Sequence, residues 1–74
     1  MKIAEAIRAV MVEQGVKVGM MAGRLGKKQN VISERLSQND MTITKAGEML
    51  RVLDYKIVVI PKSTSTPKGG FEVE

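Results

Sequence analysis

The sequence has no cysteine and no histidine. Without cysteine there is no disulfide framework and no thiolate metal site to reinforce the thin core of a 74-residue chain. Without histidine, imidazole acid–base chemistry, a serine–histidine nucleophile pair and the usual zinc sites are missing as well. No nucleophile–base pair or metal constellation can be assembled from the remaining residues. The chain is therefore read as a non-enzyme with no cofactor, no metal and no small-molecule ligand. It also lacks any apolar run near the ~20 residues that span a bilayer, and its N-terminus has no apolar centre of the secretory type. The expectation is a soluble, cytoplasmic protein with no membrane partner, stabilised by helix packing and self-association.

What is present suits a single folded domain: 43% hydrophobic and 27% charged residues place the chain away from the disordered class. Twelve Lys and Arg against eight Asp and Glu leave a formal charge of +4, and the isoelectric point near 9.7 suits a polyanionic partner.

Between Lys2 and Gln14, Ile3, Ile7, Val10 and Met11 recur at three- and four-residue steps among polar residues, which predicts an amphipathic helix closed by Gly15. A second apolar set, Met21, Ala22 and Leu25, predicts a short helix over Val18–Leu25 that ends at Gly26. Gly19 and Gly23 oppose it, each costing ~1 kcal/mol relative to alanine inside a helix, so packing must hold it. Lys27 to Ser37 reads as a third helix with Val31, Ile32 and Leu36 on an apolar side and an unusually broad polar surface. A loop follows, Ser37 to Asp40. Thr42 is the N-cap of a fourth helix, Ile43 to Leu53, with a core face of Ile43, Ala46, Leu50 and Leu53, and Met41 stapling against Ala46. Asp54 ends it.

Tyr55 to Ile60 is β-branched and aromatic, with both alternating faces apolar, and reads as a strand. An edge strand on a small helical domain needs a partner, and a second copy of the chain is the simplest supplier. Beyond it, 62–74 is rich in Ser, Thr, Pro and Gly and reads as a flexible tail. Phe71 and Val73 alternate with Glu72 and Glu74, so a short second strand at 70–74 is the alternative for its last residues. The six methionines read as adaptable core filling, with Met20 and Met21 as the pair that would otherwise line a peptide-binding surface.

From Val18 to Ser37 the sequence resembles the helix-turn-helix of the Cro and phage-repressor (XRE-like) family. The matching positions are Met21 and Ala22 in the first helix, Leu25 and Gly26 at the turn, and Ile32 and Leu36 in the second helix. Ala22 stands where the helices approach closest, and Gly26 supplies the positive φ of the turn. The likeness extends to Lys2 through Lys62, including the strand Tyr55 to Pro61 found in short bacterial and phage members. Lys27 at a usually apolar site, Gly19, Gly23 and Met20 depart from the family pattern.

The resemblance implies a mainly α fold: a small bundle of about four helices containing a helix-turn-helix, then a C-terminal strand used for dimerisation. Residues 1–61 would form this DNA-binding domain. It implies that the second helix of the motif reads base edges through Lys28, Gln29, Asn30, Ser33 and Glu34, residue types able to pair with guanine, adenine and cytosine edges in the major groove. Phosphate contacts would come from Lys17, Lys27, Arg35, Asn39, Thr42 and Lys45 at the flanking helix ends. The strand residues Tyr55, Ile57, Val58, Val59 and Ile60 would join two copies. The expected partner is double-stranded DNA carrying a pseudo-palindromic operator, bound by a homodimeric transcriptional repressor in a bacterium or phage-infected host. The alternative is a protein-interaction module, an antitoxin or phage accessory protein, on the same fold.

Overall fold

The computed structural model describes residues 1–38, 40–63 and 70–73. Four helices, α1 (Ile3–Gln14), α2 (Val18–Leu25), α3 (Gln29–Leu36) and α4 (Ile43–Arg51), precede a two-stranded sheet of β1 (Ile57–Val59) and β2 (Phe71–Val73). The mainly helical fold with a C-terminal strand is the one expected from periodicity.

Three of the four helices stop in the same way. Gly15 and Gly26 adopt left-handed φ of 68° and 65°, which a glycine takes without a Cβ penalty. After α1, the Gly15 and Val16 amides donate to the Val12 and Met11 carbonyls; after α2, the Gly26 and Lys27 amides donate to Gly23 and Ala22. Both are Schellman closures, which satisfy carbonyls that the helix leaves unpaired. Asp54, at φ 64°, closes α4 likewise, its amide and that of Tyr55 donating to Arg51 and Leu50. The last turn to Leu53 is thus tighter than the regular helix.

The core joins Ala4, Ile7 and Met11 of α1, Met21 and Ala22 of α2, Ile32 and Leu36 of α3, and Ala46, Met49 and Leu50 of α4. Val16, Met41 and Leu53 complete it from the connections. The apolar stripe read for α4 needs one correction. Ile43 is 53% exposed while Met49 is fully buried: the inward face is Ala46, Met49, Leu50 and Leu53, and at helical spacing Ile43 falls at its margin while Met49 lies within it. Met41 is buried with Ala46, as a staple requires.

Long polar side chains tie the helix ends together. Arg8 donates to the Leu36 carbonyl at 3.4 Å, Gln14 to Leu53 at 2.8 Å and Arg24 to Val52 at 3.1 Å. Each reaches a carbonyl at the end of another helix, where a donor or positive charge is favoured.

The sheet corrects the expectation for β1. Its hydrogen-bonded partner is the chain's own β2, antiparallel, with Ile57 opposite Val73, Val58 opposite Glu72 and Val59 opposite Phe71. One edge of β1 is therefore filled without a second copy, and the last described residues return as a strand, not a tail. Residues directly opposite share a face, so Ile57, Val73, Val59 and Phe71 form one apolar row. Ile57 rests on the core, whereas Val59 and Phe71 are 57% and 76% exposed. On the other face Lys56 pairs with Glu72 at 2.6 Å.

Gly70 lets the returning chain approach β1. A Cβ placed there would meet the Val58 and Ile60 side chains and stand 2.9 Å from the Val59 carbonyl oxygen, and the carbonyl belongs to backbone that cannot rotate aside. Gly70→Ala is therefore expected to destabilise the protein by about 1–3 kcal/mol, the usual cost of overpacking. Far-ultraviolet circular dichroism should keep its helical signal while hydrogen exchange at Ile57–Val59 accelerates; unchanged exchange would contradict this role.

Candidate nucleic-acid interface

α2 and α3 are joined by Gly26, Lys27 and Lys28 alone. The Lys27 amide is committed to the Ala22 carbonyl, and Lys28 is extended (φ −75°, ψ 150°) as the N-cap of α3. The helix consequently starts at Gln29, two residues later than its apolar pattern suggests, and Lys27 belongs to the turn.

Ile32 and Leu36 anchor α3 in the core, with Val31 half-buried beside them. This leaves Lys28, Gln29, Asn30, Ser33 and Glu34 exposed. Their spacing places these five along the first two turns of one outward surface. Among the described residues the ion pairs are Arg35–Glu48 and Lys56–Glu72, so Lys28 and Glu34 are engaged in neither. The surface offers donors from Lys28, acceptors from Glu34, and both from Gln29, Asn30 and Ser33.

Lys17, Lys27, Thr42 and Lys45, at the ends of the neighbouring helices, are all exposed as well. Lys17 and Lys28 occupy the N-cap positions of α2 and α3, and neither side chain accepts a capping hydrogen bond. The first-turn N–H groups of both helices therefore lack a side-chain cap, an arrangement that favours an anion. Thr42 caps α4, its Oγ1 accepting from the Lys45 amide at 3.3 Å. Asn39, expected among the phosphate contacts, lies outside the described residues.

Arg35 does not belong with these cations. Its side chain is 11% exposed and donates from Nη1 to Glu48 Oε1 at 2.9 Å, so it fastens α3 to α4 instead of facing an external phosphate. The pair spans 13 residues, beyond any local helix spacing that would have revealed it. Burial of the guanidinium without this partner would leave an uncompensated charge.

Two further residues were noticed in the sequence but given no place in a site. Phe71 is absent from the expected dimerisation residues, yet it carries the most exposed part of the sheet's apolar row. Gly19, a departure from the family pattern, lies beneath the Gln29 side chain: a Cβ there would stand 3.1 Å from Gln29 Nε2. Met21 is core, as expected of the methionines, while Met20 is 48% exposed.

The Arg35 hydrogen bond holds the Glu48 carboxyl below the ordinary glutamate range, helped by the positive charges of Arg35, Lys27 and Arg51 and opposed by partial desolvation. A carboxyl with a lower pKa folded than unfolded stabilises the fold when ionised. That contribution is complete above the ordinary glutamate value of about 4.3 and is lost as the pH falls through the depressed value. Glu48→Gln is expected to lower Tm at neutral pH and to flatten the acid-side decline in Tm between about pH 5 and pH 3. Parallel wild-type and variant profiles would show that the pair does not act this way.

Comparison with known proteins returns no match from family models, curated proteins or solved structures.

Proposed function

We propose that the chain is a sequence-specific double-stranded DNA-binding protein that acts as a symmetric dimer, reading each half-site with α3 and repressing transcription by occluding its operator. The observation that carries this reading is the surface of α3: a helix anchored on one side by Ile32 and Leu36 that exposes Lys28, Gln29, Asn30, Ser33 and Glu34 on the other. A helix serving only the core has no need of five outward groups matched to base edges at its N-cap and along its first two turns. The three-residue connection at Gly26 and the likeness of Val18 to Ser37 to the Cro and phage-repressor motif support the same reading.

On this reading Gln29 and Asn30 pair with adenine, Lys28 donates to guanine, Glu34 accepts from the cytosine amino group, and Ser33 bonds either way. Lys17, Lys27, Thr42, Lys45 and the helix N-termini hold phosphates and set register. The net charge of +4 assists the encounter without selecting sequence.

The dimer is assigned to the sheet. The exposed pair Val59 and Phe71 offers an apolar surface that a second copy would cover, continuing the row begun by Ile57, whereas Val58 and Ile60, also expected at the contact, lie on the other face with Lys56 and Glu72. A two-fold axis there would present two α3 helices to half-sites about 34 Å apart, one turn of DNA. The second reading, a protein-interaction module, draws on the exposed Met20 at the surface of α2.

Selection from random duplex DNA at two salt concentrations decides between them. A two-fold symmetric consensus is expected; no enrichment at low salt would sink the DNA reading and favour the interaction module. On the selected site Gln29→Ala should cost about 1–3 kcal/mol and relax preference at one base pair. Equal losses on selected and scrambled sites would remove Gln29 from the readers.

Val59→Asp is expected to dissociate the dimer by placing a charge in its apolar contact. Sedimentation should then give the monomer mass; a mass unchanged from wild type would count against association through the sheet.

A further inference from the structure

Gly19 is an exposed residue in the first turn of α2 whose identity the fold does not demand. The described glycines with positive φ are Gly15 and Gly26, so Gly19 needs no conformation closed to alanine. Glycine is also the poorer helix former. Gly23, in the same helix, provides an internal comparison: a Cβ added there meets nothing within 4 Å, whereas one added at Gly19 would stand 3.1 Å from Gln29 Nε2 and 3.8 Å from Gln29 Cδ. The specific neighbour at this position is therefore the amide of the first residue of α3.

We propose that Gly19 is a specificity-determining positioning residue: by lacking a Cβ it leaves open the place where the Gln29 amide lies, and so fixes the pose in which Gln29 meets its base. The inference rests on the reading of α3 as the DNA-facing helix, and assigns to α2 a part in base preference without a base contact of its own.

The physical basis is the geometry of a bidentate amide. Gln29 must present its oxygen and its NH2 together to an adenine edge, and each hydrogen bond weakens steeply as distance and angle depart from their preferred values. A side chain laid against α2 enters the complex with part of its rotamer freedom already lost, which favours one pose over others. A methyl at position 19 crowds the far end of a flexible side chain, not backbone. The amide then moves by a few tenths of an ångström or changes rotamer, and the helix is undisturbed.

The test uses the full chain with Gly19→Ala, Gly23→Ala, Gln29→Ala and the Gly19→Ala/Gln29→Ala double variant. Without DNA, the Gln29 side-chain amide resonances should shift in Gly19→Ala and stay in place in Gly23→Ala, with neither variant melting below wild type. With duplexes substituted one base pair at a time from the selected site, Gly19→Ala should change discrimination by about 3- to 10-fold at the base pair that Gln29→Ala relaxes, a share of what one bidentate contact carries. It should change nothing further in the Gln29→Ala background. Unmoved amide resonances overturn the inference whatever the DNA result. A uniform loss across all duplexes, or an effect of the same size in the Gln29→Ala background, overturns it while leaving DNA binding intact. Absence of base preference in the wild-type chain overturns the reading of α3 and this inference with it, and shifted resonances would then report packing alone.

Discussion

Two eight-residue helices, α2 and α3, are each shorter than the ~12–15 residues at which an isolated helix becomes even marginal in water. They persist because the turn at Gly26 fixes them against one another. The left-handed glycine reverses the chain, the Lys27 amide closes the end of α2, and Met21, Ala22, Ile32 and Leu36 then share one buried cluster. α1 and α4 clamp this pair, with Arg8 holding the end of α3 and Arg24 reaching the end of α4. The outward face of α3 follows from the same constraint. With Ile32, Leu36 and Arg35 committed inward, Lys28, Gln29, Asn30, Ser33 and Glu34 have no inward place to go.

Arg35 shows how a charge count overstates a binding surface. It is as cationic as its neighbours in sequence, but the structure uses it to join α3 to α4 through Glu48. A buried arginine with a single carboxylate partner adds less to net stability than to the definition of one packing arrangement, since both groups surrender hydration to meet. Its value to the proposed interface is indirect: it holds the helix that presents the other polar groups. On the proposed reading the electrostatic part of DNA binding therefore falls to Lys17, Lys27, Lys28 and Lys45, which are exposed at helix ends and turns.

What was legible in the sequence is what local chemistry decides. The four helices follow from apolar spacing, and the ends of α1, α2 and α4 follow from Gly15, Gly26 and Asp54, residues able to adopt positive φ at the point where each pattern stops. The exposed polar residues of α3 were readable for the same reason, because Ile32 and Leu36 fix which side is inside. Features set by distant partners were not readable. In α4, Ile43 and Met49 both fit an apolar stripe containing Ala46 and Leu50, and only the placement of the other helices chooses Met49. The Arg35–Glu48 pair and the Gln29–Gly19 approach each join separate helices. The pairing of β1 turned on whether a chain rich in Ser, Thr, Pro and Gly comes back, which composition leaves open.

The return of β2 changes the physical case for a dimer without removing it. Had β1 been a lone edge, unpaired backbone groups would have supplied the demand for a partner. With β2 in place that demand is reduced, and what remains is side-chain burial: the Ile57–Val73 pair lies nearer the core, while Val59 and Phe71 extend the same apolar row into solvent. A short helix touching a few base pairs gives limited discrimination, whereas two such helices fixed by one axis multiply it. On the proposed reading, then, the sheet contributes to specificity through geometry alone. It need not touch DNA, but the rigidity with which Val59 and Phe71 are held by their cross-strand pairing would decide how well two copies of α3 keep the spacing of one helical turn.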